Sequence, residues 1–223
     1  MRAFFVATDG DTASLHDSSQ NGGVLMSAFE RRTWTIMAGI LVAAAAQPVL
    51  AHPGHAGSGF ADGWWHPFLG LDHLLAMIAV GLLAVRLGGR ALWMLPCGFL
   101  GGMLLGGVAA AAGVPCPQVE AGIVASVLVL GLLVAAGRTV SLPIGLAAVM
   151  AFAALHGHAH AAEMQGGSFI AYAAGFLLAT ALLHATAIVA GMALARGIRV
   201  PAIRALGGAI AAAGLVLCLG MMS

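Results

Sequence analysis

Six apolar stretches dominate this chain, at about residues 67–87, 91–112, 118–136, 142–160, 168–195 and 203–222. Each is close to the ~20 residues that a helix rising 1.5 Å per residue needs to cross ~30 Å of hydrocarbon. The connections between them are short, which predicts neighbours packed side by side and antiparallel. Composition agrees: 61% of the 223 residues are hydrophobic and only 8% are charged, against about 25% charged in a soluble domain. Mean hydropathy is +1.01. The 32 glycines suit helices that approach closely in lipid, and Gly98, Gly102 and Gly106, four apart, predict a small-residue packing stripe. The expected fold class is an all-α membrane protein, a six-transmembrane-helix bundle after a cleavable signal peptide.

The signal is expected over residues 26–51. Arg31 and Arg32 form its basic region, and the apolar run Trp34–Ala46 is only 13 residues long before Gln47-Pro48, too short to span. Val49-Leu50-Ala51 supplies a small-residue cleavage site. Residues 1–25 are polar and aperiodic, and read as a disordered or untranslated leader. Cleavage would leave residues 52–66 as a short periplasmic segment, with Trp64 and Trp65 anchored at headgroup level, and residues 67–223 as the transmembrane domain. The segment opens His52-Pro53-Gly54-His55, where a free α-amine beside His52 and His55 makes either a weak chelate or a plain solvated tail.

Charge sorts by side on this plan. With the mature N-terminus outside, Arg86, Arg90, Arg138, Arg196, Arg199 and Arg204 all fall inside, as the positive-inside rule requires. Asp62, Asp72, Glu120 and Glu163 fall at the outer end, with every mature histidine except His184. The expected location is therefore a bacterial inner (cytoplasmic) membrane, with both mature termini periplasmic and an acidic, imidazole-rich mouth facing out.

Composition also excludes. All nine basic residues are arginines, so no Walker A loop exists to drive an ATP-powered pump. No basic run is present to hold nucleic acid. The three cysteines form no Cys-x-x-Cys, which removes a cysteine-built zinc site; Cys116 and Cys218 both fall near the outer face, where a bond between them is conceivable.

Polar groups are costly in a bilayer, and here they concentrate. His66-Pro67-Phe68-Leu69-Gly70-Leu71-Asp72-His73 brings two imidazoles and a carboxylate to the start of the first segment. Pro67 predicts the first helical turn, and seven residues place His66 and His73 on one face if the helical path reaches back to His66. Met77, one turn on, reads as core filler. In the fourth segment His156, His160 and Glu163 follow i, i+4, i+7 spacing along one stripe, while His158 faces away. Both clusters lie at a similar depth below the outer surface, so one shared metal site is expected: His66, Asp72, His73, His156, His160 and Glu163. Asp72 is either a ligand or the acceptor that aims a histidine. Glu120 is a vestibule acid on this reading, and His184, near mid-membrane, is either a second station or a histidine bonded to backbone; with His158, His52 and His55 these make up the possible secondary path. Imidazole with a few carboxylates suits Ni²⁺, Co²⁺, Zn²⁺ or Cu²⁺ better than Mg²⁺ or Ca²⁺.

At these residues the chain resembles the HupE/UreJ family, the hydrogenase- and urease-associated nickel permeases. His66, Pro67, Gly70, Asp72 and His73 fill its His-Pro-x-x-Gly-x-Asp-His motif, and His156, Gly157, Ala159, His160 and Glu163 its second motif, with Ala161 and Ala162 making that run less glycine-rich. The first motif is also similar to the His-x4-Asp-His signature of another class of nickel/cobalt transporters, with the first histidine moved by one residue. The resemblance implies a secondary permease, not an enzyme, taking up Ni²⁺ or Co²⁺ as cargo for metalloenzymes such as hydrogenase or urease. No prosthetic group is expected, and the sequence leaves open a homo-oligomer or an accessory subunit. Two rival readings use the same histidines. One is a membrane haem protein with bis-histidine ligation, for which the neighbouring acids are odd. The other is a membrane-embedded metalloenzyme, which would lack His-Glu-x-x-His and any evident nucleophile motif.

Overall fold

A computed structural model describes residues 59–136, 140–164, 167–197 and 201–221. The expected leader, the signal peptide, His52, His55, Arg138 and Arg199 lie outside the described residues. Among those described there is no strand. The elements are α1 (Phe60–Trp65), a 3-10 turn (His66–Phe68), α2 (Leu71–Leu87), α3 (Ala91–Ala111), α4 (Val119–Ala136), α5 (Leu142–Ala162), α6 (Phe169–Gly197) and α7 (Pro201–Gly220). Five of them, α3 to α7, are long and apolar enough to cross a membrane, and the count rises to six if α1, the turn and α2 are one broken span.

That first segment departs from expectation. The helix does not start at Pro67: Pro67 sits in the 3-10 turn, and α2 begins only at Leu71, after Gly70 at φ −96° and ψ 122°. An extended residue cannot continue a helix, so the two pieces meet at a 78° bend. The helical path therefore does not reach back from His73 to His66. The bend itself delivers His66 to the site, as the distances below show.

Glycines bring the helices together in pairs. A Cβ on Gly102 would stand 2.6 Å from the Met150 carbonyl oxygen. Gly98 meets Leu146, and Gly106 lies against the Ala154 backbone. These pairs step along both chains in the same direction, so α3 and α5 run parallel, and the expected Gly98–Gly102–Gly106 stripe is a real interface. Gly157, between two histidines of α5, touches the Met103 backbone from the other side. Helices α4 and α7 pack antiparallel through Gly131 on Ala211 and Gly207 on Ala135. The Arg204 guanidinium then donates to the Ala135 carbonyl at 2.9 Å, satisfying one of the orphan acceptors at the end of α4. Helix α6 carries α2 alongside it through Gly81 on Ala187, and α1 through Gly63 on Tyr172 and Gly175 on Phe60.

The core is apolar and largely drawn from α2, with Leu75, Ala76, Met77, Val80 and Leu83 at or near zero exposure. Met77 is part of that core, as its position suggested. Cys97, Cys116 and Cys218 are free thiols. Five polar residues are nevertheless buried among the described ones: His73, Ser126, His156, Thr180 and His184.

Candidate metal site

Three imidazoles from two helices meet under the acidic end of the bundle. His73 follows Asp72 in the first turn of α2, where one carboxylate oxygen of Asp72 accepts the His73 backbone N–H at 2.7 Å. His156 and His160, one turn apart on α5, face it. His73 Nδ1 lies 2.8 Å from His156 Nδ1 and 3.1 Å from His160 Nε2. His73 is 2% exposed and His156 0%, and the walls around them are aromatic. The Phe176 ring stands 5.1 Å from His73 and 4.9 Å from His160, and Phe99 stands 5.9 Å from His156.

A hydrogen bond orients one of the rings and a nearby carboxylate a second. Ser126 Oγ, wholly buried on α4, donates to the Ile123 carbonyl and lies 3.0 Å from His156 Nε2. A hydroxyl has one hydrogen, and this one is spent on Ile123. The oxygen must therefore accept from His156 Nε2–H, leaving Nδ1 as a lone pair aimed at His73. His160 Nδ1 faces the Glu163 carboxylate at 3.6 Å, longer than a hydrogen bond but close enough for the charge to favour hydrogen on that nitrogen. The His160 imidazole in turn holds the Glu163 carboxyl below its ordinary pKa.

Two lone pairs thus converge on His73 Nδ1, which carries at most one hydrogen. One hydrogen cannot serve both neighbours at full strength in a dry pocket. A cation accepts all three lone pairs at once. Adjacent nitrogens on a six-coordinate ion with ~2.1 Å bonds stand about 3.0 Å apart, and the observed separations straddle that value.

A second group shares His160. His66, His160 and Glu163 offer ligand atoms within 4.8 Å of one another, as do His73, His156 and His160. His66 packs edge-on against His160, with ring centroids 4.5 Å apart, and also against Tyr172. The two groups form a ladder from an exposed rung at Glu163 to a buried one at His156.

The structure thus brings together five of the six expected ligands: His66, His73, His156, His160 and Glu163. Asp72 lies beside them, half-buried, with its carboxylate engaged by backbone, and neither three-residue group includes it. His158 points elsewhere, donating to the Val114 carbonyl at 2.7 Å. Glu120 is exposed in the first turn of α4. His184 is buried on α6, beyond Phe99, its ring 5.1 Å from that phenyl. Sequence reasoning missed Ser126, although it is the one hydroxyl-bearing residue in α4 and, past Glu120 in the first turn, its one polar side chain.

A profile described as HupE / UreJ protein matches residues 40–217. The chain belongs to the HupE/UreJ family. Protein HupE of Rhizobium leguminosarum bv. viciae is 42% identical over 184 residues, covering 80% of this chain and 95% of that protein. No solved structure matches the chain. The matched stretch takes in both histidine clusters and the whole of α1 to α6, and it ends inside α7.

Proposed function

We propose that this protein is a multi-pass inner-membrane permease for a divalent transition metal ion, Ni²⁺ foremost and Co²⁺ next, supplying metalloenzymes of the hydrogenase or urease kind. The observation that carries this reading is the convergence of three imidazole nitrogens, from helices far apart in sequence, on one point in an apolar interior. Membership of the HupE/UreJ family supports it, as does a relative named for HupE. On this reading the mouth of the bundle faces the periplasm, six spans carry both termini to that side, and Glu163 and His66 receive the ion before His160 passes it to His73 and His156. Asp72 anchors the first turn of α2 and so aims His73. A set of neutral imidazoles with one carboxylate holds a borderline ion firmly enough to select it and loosely enough to let it go.

The haem reading loses support from the same distances. Axial nitrogens flanking a haem iron stand about 4 Å apart, twice a ~2 Å bond, with the ring plane between them. Nitrogens at 2.8 and 3.1 Å leave no space for a porphyrin. The test of the permease is accumulation of radioactive nickel or cobalt in cells lacking other importers. Wild-type protein should raise it, and normally expressed His73→Ala and His156→Ala variants should return it to background. Variants that accumulate metal like the parent would remove the site from the proposal.

A further inference from the structure

Below the three-imidazole group lies a second set of polar atoms that the first site does not use. Thr180 Oγ1, both ring nitrogens of His184 and Nε2 of His73 are buried with no hydrogen-bond partner among the described residues. Thr180 is 0% and His184 1% exposed. An unpaired buried polar group costs about 1–3 kcal/mol, so three such side chains on facing helices call for an occupant.

Their arrangement is ordered. Phe176, Thr180 and His184 are four apart on α6 and share a face. Phe176 walls the first site, so Thr180 lies about 6 Å and His184 about 12 Å further along the helix. The same face continues to Ala187, packed on Gly81 of α2, so these side chains face the interior rather than lipid. Phe99 stands between the two levels, its ring 5.9 Å from His156 and 5.1 Å from His184. His73 turns Nδ1 to the first site and keeps Nε2 unused, and its helix α2 packs along α6 through Gly81 on Ala187.

We infer that His184 and Thr180 form a second, weaker station for the divalent transition metal ion, reached from the three-imidazole site past the Phe99 ring, with His73 Nε2 on its outer side. The inference rests on the permease reading. One imidazole and one hydroxyl, completed by water, hold a borderline cation more loosely than three imidazoles do. A loose station after a tight one lets an ion leave the selective site without being trapped at the next.

The experiment uses full-length protein in proteoliposomes and Co²⁺ as the probe. Equilibrium binding reads the first site, and uptake of radioactive cobalt reads passage. Thr180→Val, which keeps shape and drops the hydroxyl, and His184→Gln should bind Co²⁺ within about twofold of the parent but transport it at least tenfold more slowly. A direct signature separates ligation from packing. With Cys97, Cys116 and Cys218 changed to Ser, and His156→Ala removing the first site, the His184→Cys variant should give a thiolate-to-cobalt charge-transfer band on Co²⁺ addition. Absence of that band, or parental transport by Thr180→Val and His184→Gln together, overturns the second station. Loss of high-affinity binding in either single variant also overturns it, since His184 would then belong to the first site. If parental protein shows no Co²⁺ binding that depends on His156, the permease reading itself fails.

Discussion

Replacing Ser126 by alanine removes one oxygen atom from the far side of His156 and leaves every proposed ligand in place. The His156 Nε2–H, 3.0 Å from that oxygen, is left in a pocket where both residues are 0% exposed, so no bulk water replaces the acceptor. The unpaired donor costs about 1–3 kcal/mol of stability, and the ring is freed to flip or to move its hydrogen to Nδ1. Metal binding must then reimpose the lost orientation, and loss of such a support weakens metal affinity by about 10–100-fold, or roughly 1.4–2.7 kcal/mol. Isothermal titration of detergent-purified protein with Co²⁺ measures the change directly. Ser126→Thr, which keeps the hydroxyl, should recover most of the affinity. A monodisperse Ser126→Ala protein that binds Co²⁺ within twofold of the parent would refute the tautomer argument and reduce Ser126 to a packing residue.

Three further outcomes are expected. Asp72→Asn retains an oxygen for the His73 backbone N–H and should keep most of the metal affinity, whereas Asp72→Ala should lose about tenfold; an equal loss in both would make the carboxylate's charge, and so direct ligation, its role. Gly157→Ala drives a methyl into the Met103 backbone and should lower the thermal midpoint while weakening Co²⁺ binding, because His156 and His160 ride on the displaced helix; an unchanged melt would mean that α3 and α5 yield more easily than their contact implies. His158→Ala removes a bond to the Val114 carbonyl outside the ladder, and its metal uptake in cells should stay within twofold of the parent.

Five helix positions were legible to within about two residues because crossing a bilayer is a property of a whole segment, which one or two polar residues hardly alter. The first segment was harder to read. Pro67 is a good first-turn residue, but that preference applies to a 3-10 turn as well as to an α-helix, and Gly70 took the extended conformation that broke the path. The two histidine clusters were legible because imidazole is scarce and costly in such segments. Ser126 was not, because a lone serine in an apolar helix looks the same as a small residue placed for packing, and only the His156 ring beside it shows otherwise. Thr180 was overlooked on the same ground. Asp72 drew attention by its charge, yet the structure gives its oxygen a backbone task that spacing alone could not distinguish from ligation.

The glycine contacts bear on how the molecule is made. The closest helix partnerships, α3 with α5, α4 with α7, and α1 and α2 with α6, each join segments that are not consecutive in the chain. A ribosome delivers helices in order, so while α2, α3 and α4 are emerging none of them has its principal partner. His73 must wait for ring nitrogens 83 and 87 residues later in the chain. A nascent chain ending at Ala136 would hold His73 and Ser126 but neither imidazole of α5, and could not assemble the three-imidazole site. Metal capture is thus postponed until α5 has been made, and a filled three-imidazole site is itself a report that α2 and α5 have met across the two helices between them.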